Sequence, residues 1–196
     1  MGPIMSRKPV IAVLVGSLRT RSINRQLARI AVDNAPEGVV VKIVDGLGEL
    51  PFYNADADPS TSDGVGARLD GRVAALRAEV EAADGVLLVT PEYNGSLPAA
   101  LKNALDWLSR PYGAGALIGK PVGIIGASLA RGAGERMRTD AVKVVGVAGG
   151  HIVEDVRVAL RTSELGERGV ADEEIVSQVT EAVEVLADAI EARAAV

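Results

Sequence analysis

A set of short, uninterrupted apolar runs, recurring between segments of helical period, constrains this chain more than any other feature. Val10-Ile11-Ala12-Val13-Leu14-Val15, Gly85-Val86-Leu87-Leu88-Val89-Thr90 and Val122-Gly123-Ile124-Ile125-Gly126-Ala127 show no polar alternation. A strand with one face in water alternates, whereas a strand covered by helices on both faces does not, so these runs read as strands of a parallel sheet. Val39–Val44 and a weaker stretch, His151–Val158, bring the number of expected strands to five. Helical spacing fills the gaps. Ile23, Leu27, Ile30 and Ala31 predict a helix over Ile23–Val32, with Ser22 placed to cap it and Pro36 and Gly38 closing the segment. Leu69, Val73, Leu76 and Val80 predict a second over Ala67–Ala83, and Leu101, Leu105 and Leu108 a third, with Pro98 in its first turn and Pro111 ending it. Glu135–Val147 and Ile175–Ala192 supply the fourth and fifth, while Asp45–Gly66, rich in Asp, Gly, Pro and Ser, reads as mostly loop.

Strands alternating with helices specify an α/β fold, an open, doubly wound sheet of five parallel strands with helices on both faces; the expected order is the flavodoxin-like 2-1-3-4-5. A chain of 196 residues with 48% hydrophobic content fills one core, so a single domain is expected over residues 9–196. Met1–Lys8, with a second possible start at Met5, lacks periodicity and reads as a flexible leader.

Composition removes several classes of function. The balance of 21 Lys+Arg against 26 Asp+Glu, net −5, offers no general attraction for nucleic acid, and 3% aromatic content is too little for base-stacking platforms. No apolar run approaches the roughly 20 residues that span a bilayer, and Val10–Gly16 is too short for a signal-peptide core, so the cytoplasm is the expected compartment. The absence of cysteine excludes thiol chemistry and disulfides, and the single histidine, His151, lends little support to histidine metal clusters or a serine–histidine triad. Demanding chemistry must therefore come from carboxylates or from a bound cofactor.

In an open parallel sheet a ligand sits beyond the carboxyl ends of the strands, where the winding reverses, which for this order lies between the first and third strands. Both loops there are chemically unusual. The first, Gly16-Ser17-Leu18-Arg19-Thr20-Arg21-Ser22-Ile23-Asn24, has neither G-x-G-x-x-G nor a G-K-[ST] ending. It offers instead the hydroxyls of Ser17, Thr20 and Ser22, the Asn24 amide and two guanidinium groups at a helix N-terminus. Such donors suit a terminal phosphate monoester like that of FMN. The alternative is a plain helix cap beside solvated arginines, and the clustering of donors argues against it. The second, Thr90-Pro91-Glu92-Tyr93-Asn94-Gly95-Ser96-Leu97-Pro98, is stiffened by two prolines, and its amides suit the ring edge of a flavin, where reduction places negative charge. By itself, Asn94-Gly95 reads as an ordinary turn.

Gly16-Ser17-Leu18-Arg19 with Ser22 and Asn24, then Pro91-Glu92-Tyr93-Asn94, then Leu101-Lys102-Asn103-Ala104-Leu105-Asp106-Trp107-Leu108-Ser109-Arg110-Pro111, together resemble the NADPH-dependent FMN reductase family, which includes bacterial chromate and quinone reductases. The resemblance runs from Val10 to Ala127 and thins beyond. It implies that Ser17, Arg19, Ser22 and Asn24 hold the FMN phosphate and that Pro91, Glu92, Tyr93, Asn94 and Gly95 border the ring. Ser128, in the loop after the fourth strand, is the one assignment there. The resemblance also implies a homodimer or homotetramer with hydride supplied by NADPH or NADH and passed to a quinone, free flavin, chromate or a similar acceptor. No residue of the chain is assigned a catalytic role, because the flavin carries the reaction.

Other residues have simpler readings. Phe52 and Tyr53 either form an association surface or cover their own core. Trp107 packs in the core by default, Asp106 and Arg110 are spaced for an exposed ion pair, and His151 opens the fifth strand. Glu92 either bonds backbone amides to hold its loop or approaches a partner subunit. Two rival functions share the sheet: a flavodoxin-type electron carrier that does not use pyridine nucleotide, and a non-redox phosphosugar or nucleotide binder. A net charge of only −5 argues against the first.

Overall fold

The computed structural model describes residues 7–195. Strands β1 (Val10–Val15), β2 (Val40–Val44), β3 (Gly85–Val89), β4 (Pro121–Ser128) and β5 (His151–Arg161) alternate with helices α1 (Ile23–Asp33), α2 (Gly71–Glu81), α3 (Ala99–Leu108), α4 (Glu135–Val147) and α5 (Glu173–Ala194). The sheet order is β2-β1-β3-β4-β5, parallel throughout, as the apolar runs predict. Residues 1–6 of the expected leader lie outside the described residues. Arg7, its seventh residue, donates to the Asp84 carboxylate at the loop before β3, and Asp84 also accepts from the Val10 amide at 2.7 Å.

The lack of polar alternation has a direct physical cause, since successive side chains of the central strands enter two different cores. Leu14, Leu88 and Ile124 pack against Leu76, Leu101, Leu105 and Val145 on the face covered by α2, α3 and α4. Val13, Leu87 and Ile125 pack against Leu27, Val183 and Leu186 on the face covered by α1 and α5. Each fully buried Leu or Ile contributes about 1.5–3 kcal/mol relative to exposure, so neither face tolerates a polar substitution in β1, β3 or β4.

Three elements differ from the sequence reading. The second helix starts at Gly71, not Ala67, because the Asp70 carboxylate caps it by accepting from the Arg72 amide at 2.9 Å, leaving Leu69 in the preceding loop. Pro98 is the residue before α3 and does not occupy its first turn. The fifth strand runs on to Arg161 and is interrupted: Ile152 pairs with Val122, but Ile124 pairs with Arg157. The buried Arg138 of α4 spans that irregularity, donating to the carbonyls of Ile124 (3.1 Å), Glu154 (3.1 Å) and Val156 (3.3 Å). Carbonyls released by the interrupted ladder are thus satisfied by a guanidinium, which tolerates such a position because it brings five donors.

The loop after β2 is clamped onto α3. Trp107 is fully buried and its indole N–H donates to the Pro51 carbonyl at 2.8 Å, a bond shared with the Asn103 amide at 3.0 Å. Tyr53 donates its backbone N–H to Asn103 (2.8 Å) and lies edge-on to Trp107 with centroids 4.9 Å apart. Tyr53 therefore covers its own core, while Phe52 beside it is 82% exposed. The expected Asp106–Arg110 pair does not form. Asp106 takes Lys102 at 2.6 Å, and the Arg110 guanidinium lies 5.2 Å from the Tyr53 ring centroid, drawn there by the π face.

Candidate flavin site

The carboxyl ends of β1, β3 and β4 meet at Thr90. The Gly16 amide donates to Val89 and the Thr90 amide to Ile125, both at 3.0 Å. A Cβ on Gly16 would lie 2.1 Å from the Thr90 hydroxyl, and one on Gly126 would lie 2.0 Å from the Thr90 carbonyl oxygen. Only glycine permits that approach. Above this floor lies a crevice of about 210 Å³, lined from one side by Ser17, Arg19, Ser22 and Asn24 and from the other by Pro91, Glu92 and Tyr93. Ala127 and Ser128, at the end of β4, line it too, and Leu129, Thr162 and Ile23 complete the wall. The two loops singled out in the sequence thus face one another across a single cleft.

Their residues play different parts. Ser22 caps α1, its hydroxyl oxygen accepting from the Arg25 amide at 3.2 Å, and the hydroxyl proton remains to be donated into the crevice. The amides of Ile23 and Asn24, in the first turn, have no intrahelical acceptor, and the helix dipole makes this end positive. Ser17 is buried at the crevice wall, and Arg19 forms no ion pair among the described residues. Hydroxyls, free amides and an uncommitted guanidinium at one helix terminus form the donor set a phosphate monoester requires.

Asn24 departs from the expectation. Its side-chain amide is buried, donating to the Ala127 carbonyl at 2.9 Å and accepting from the Ala127 amide at 2.8 Å. Both polar ends of the side chain are committed to the backbone of β4, so Asn24 fastens the start of α1 to the end of β4.

The second loop is rigid for reasons visible in the sequence. Asn94 (φ 53°) and Gly95 (φ 80°) form a two-residue turn with both residues left-handed, and Tyr93 and Ser96 exchange backbone hydrogen bonds of 3.1 and 3.0 Å across it. Asn94 and Gly95 occupy the tip of this hairpin and lie outside the crevice lining. The loop is tied to α4 at two points. Glu92 accepts from the Met137 amide (3.4 Å) near the positive end of that helix, and Ser96 donates to Asp140 (2.5 Å). Glu92 therefore holds its loop through a backbone amide, one of the two roles expected of it. Leu129 and Thr162 were missed because neither belongs to a recognisable pattern. Thr162 reaches the site only because β5 extends to Arg161.

The pattern of the NADPH-dependent FMN reductase family matches residues 9–164. A quinone reductase of Pseudomonas putida is 44% identical over 124 residues, 63% of this chain and 62% of that protein. A quinone reductase of Escherichia coli is 41% identical over 132 residues, 67% and 66% of the two chains. The chain thus matches just under two thirds of the length of these curated relatives. Among solved structures, FerB, a flavoenzyme NAD(P)H:(acceptor) oxidoreductase from Paracoccus denitrificans, superposes with a TM-score of 0.79 at 29% identity, covering 94% of this chain and 98% of its own. With the family's pattern spanning β1 to the end of β5, this chain belongs to the NADPH-dependent FMN reductase family.

Proposed function

We propose that the protein is an FMN-dependent oxidoreductase that takes hydride from NADPH or NADH and passes it to a quinone, free flavin, chromate or a similar small acceptor. The observation that carries this reading is the pairing, in one crevice, of an anion-ready loop (Ser17, Arg19, Ser22) with a rigid loop (Pro91, Glu92, Tyr93) held by the Tyr93–Ser96 backbone hydrogen bonds. Quinones lead the list of acceptors because the relatives from Pseudomonas putida and Escherichia coli are named for their reduction.

The donor set fits FMN. Ser17, Ser22 and Arg19, with the first amides of α1, would hold the phosphate, and Pro91, Glu92, Tyr93 and Ser128 would border the ring. When bound, FMN supplies two-electron chemistry that no side chain here can perform. The protein's part is to bind and orient. The Asn24 clamp keeps the phosphate loop in register with β4, the Asn94-Gly95 turn fixes Tyr93, and the Glu92 anchor holds the loop's height above the sheet. Bound there, FMN would supply hydride transfer first from nicotinamide and then to the acceptor, a ping-pong cycle. The enzyme is proposed to work as a homodimer or homotetramer, and exposed Phe52 and Tyr112 are candidates for association. The cytoplasm, where reduced nicotinamide nucleotides are kept, is the proposed location.

The test is to purify the protein with FMN supplied, record its flavin spectrum and follow NADPH and NADH oxidation against a quinone panel. A flavin-loaded protein with steady turnover is expected. Failure to take up FMN overturns the reading, and uptake without nucleotide oxidation returns the protein to the electron-carrier class.

A further inference from the structure

A second and larger cavity, of about 500 Å³, adjoins the crevice on the β2 side, and Ser17 and Arg19 line both. Its remaining wall includes Arg25 and Arg29 of α1 and the segment after β2 that carries Asp45 and Glu49. In a chain of net charge −5, four arginines fall within the eleven residues Arg19–Arg29. Three of them line this cavity.

Helix α1 is charged against its own dipole. It has no acidic residue in its first turn and no basic residue in its last, it places Arg25 in the first turn, and it ends on Asp33. Arg25 and Arg29, four apart, also repel one another along one face. An arrangement that opposes local stability at several positions marks a place where charge serves a ligand. Of the three arginines, Arg25 pairs with Asp45 at 2.5 Å, while Arg19 and Arg29 have no carboxylate partner among the described residues.

We propose that this cavity receives the phosphorylated adenosine end of the hydride donor, with Arg29 and Arg25 reading the 2′-phosphate that distinguishes NADPH from NADH. The inference rests on the nucleotide-dependent activity proposed above. From β3 to β2 is two strand spacings, about 10 Å, which an extended dinucleotide spans, so a nicotinamide at the Tyr93 side of the crevice leaves its adenosine within reach of α1. Position in the sheet supports the assignment. In the Rossmann form of the doubly wound sheet, which differs from this one in strand order, a carboxylate after the second strand takes the ribose hydroxyls of the unphosphorylated nucleotide and a nearby arginine accommodates the 2′-phosphate. Here the carboxylate in that place, Asp45, is paired with Arg25, and Arg29 lines the same cavity without a carboxylate partner among the described residues.

The test is calorimetric titration of the protein, supplied with FMN, with adenosine 2′,5′-bisphosphate, adenosine 5′-monophosphate and inorganic phosphate, in the wild type and in Arg29→Gln. The bisphosphate is expected to bind about tenfold more tightly than the monophosphate, as one charge-assisted phosphate contact gives. Arg29→Gln is expected to remove most of that margin and to raise the KM for NADPH relative to NADH by a similar factor, with FMN content unchanged. Equal binding of the two adenosine nucleotides overturns the proposal, as does binding matched by inorganic phosphate or a margin that survives Arg29→Gln. The titration reads this cavity even in a protein that takes up no FMN, so the two readings fail separately.

Discussion

Replacing Asn24 by alanine separates two roles for this residue. In the structure its side chain makes two hydrogen bonds, of 2.9 and 2.8 Å, to the backbone of Ala127, and the site is buried. Alanine leaves the Ala127 N–H and carbonyl without partners away from water, at roughly 1–3 kcal/mol for each unsatisfied group, and a loss of about 2–6 kcal/mol overall is expected. For a chain of this size each kcal/mol moves the melting temperature by about 2–4 °C, so FMN-free protein should melt roughly 4–24 °C lower. Thermal unfolding followed by far-ultraviolet circular dichroism measures it, and FMN must be left out because a bound ligand masks the change by mass action. Flavin affinity should fall as a consequence, through misplacement of the α1 terminus. A variant that melts within about 1 °C of the wild type yet binds FMN weakly would refute the clamp and restore Asn24 as a direct phosphate ligand.

Gly126→Ala drives a methyl against the Thr90 carbonyl, which no rotamer change relieves; a loss of about 1–3 kcal/mol is expected in denaturant titration, together with weakened FMN binding. Arg77→Met removes the cation 3.7 Å from the fully buried Asp58 and strips the Trp107 carbonyl of its Arg77 donor, so a loss of about 3 kcal/mol is expected by urea unfolding, with flavin affinity preserved. Asp70 is held at a pKa of about 2, from an ordinary 3.8, chiefly by the side-chain hydrogen bond from Arg72 and then by the Arg72 backbone amide. Its folded-state value is depressed, so its contribution is present above 3.8 and disappears as the pH falls from there through about 2; Asp70→Asn should flatten the acid limb of stability in that window when unfolding is followed against pH.

How much of this was legible in the sequence depends on the distance over which each signal acts. β1, β3 and β4 announce themselves because burial on both faces removes every polar residue from a continuous run, and Ser22 and Asn94-Gly95 act through neighbours only a few residues away. Asn24 escaped because its partner, Ala127, lies 103 positions along the chain. The start of α2 was misjudged because Leu69 is in phase with Val73, Leu76 and Val80, and a helical period does not reveal that Asp70 turns its side chain back to close the helix. The extent of β5 was hidden because an edge strand alternates with charged residues, and because Arg138, on a different element, mends its broken ladder. The second cavity was invisible as a cavity, although its arginines were in plain view.

Thr90, pressed by Gly16 on one side and Gly126 on the other, leaves the three strand ends beneath the crevice with no slack. Any enlargement at those positions must displace whole strands, so mutational freedom is confined to the rim. Diversification of acceptor preference, in nature or by directed evolution, should therefore accumulate at Leu129, Thr162 and the Tyr93 side chain, while the foundation beneath stays invariant.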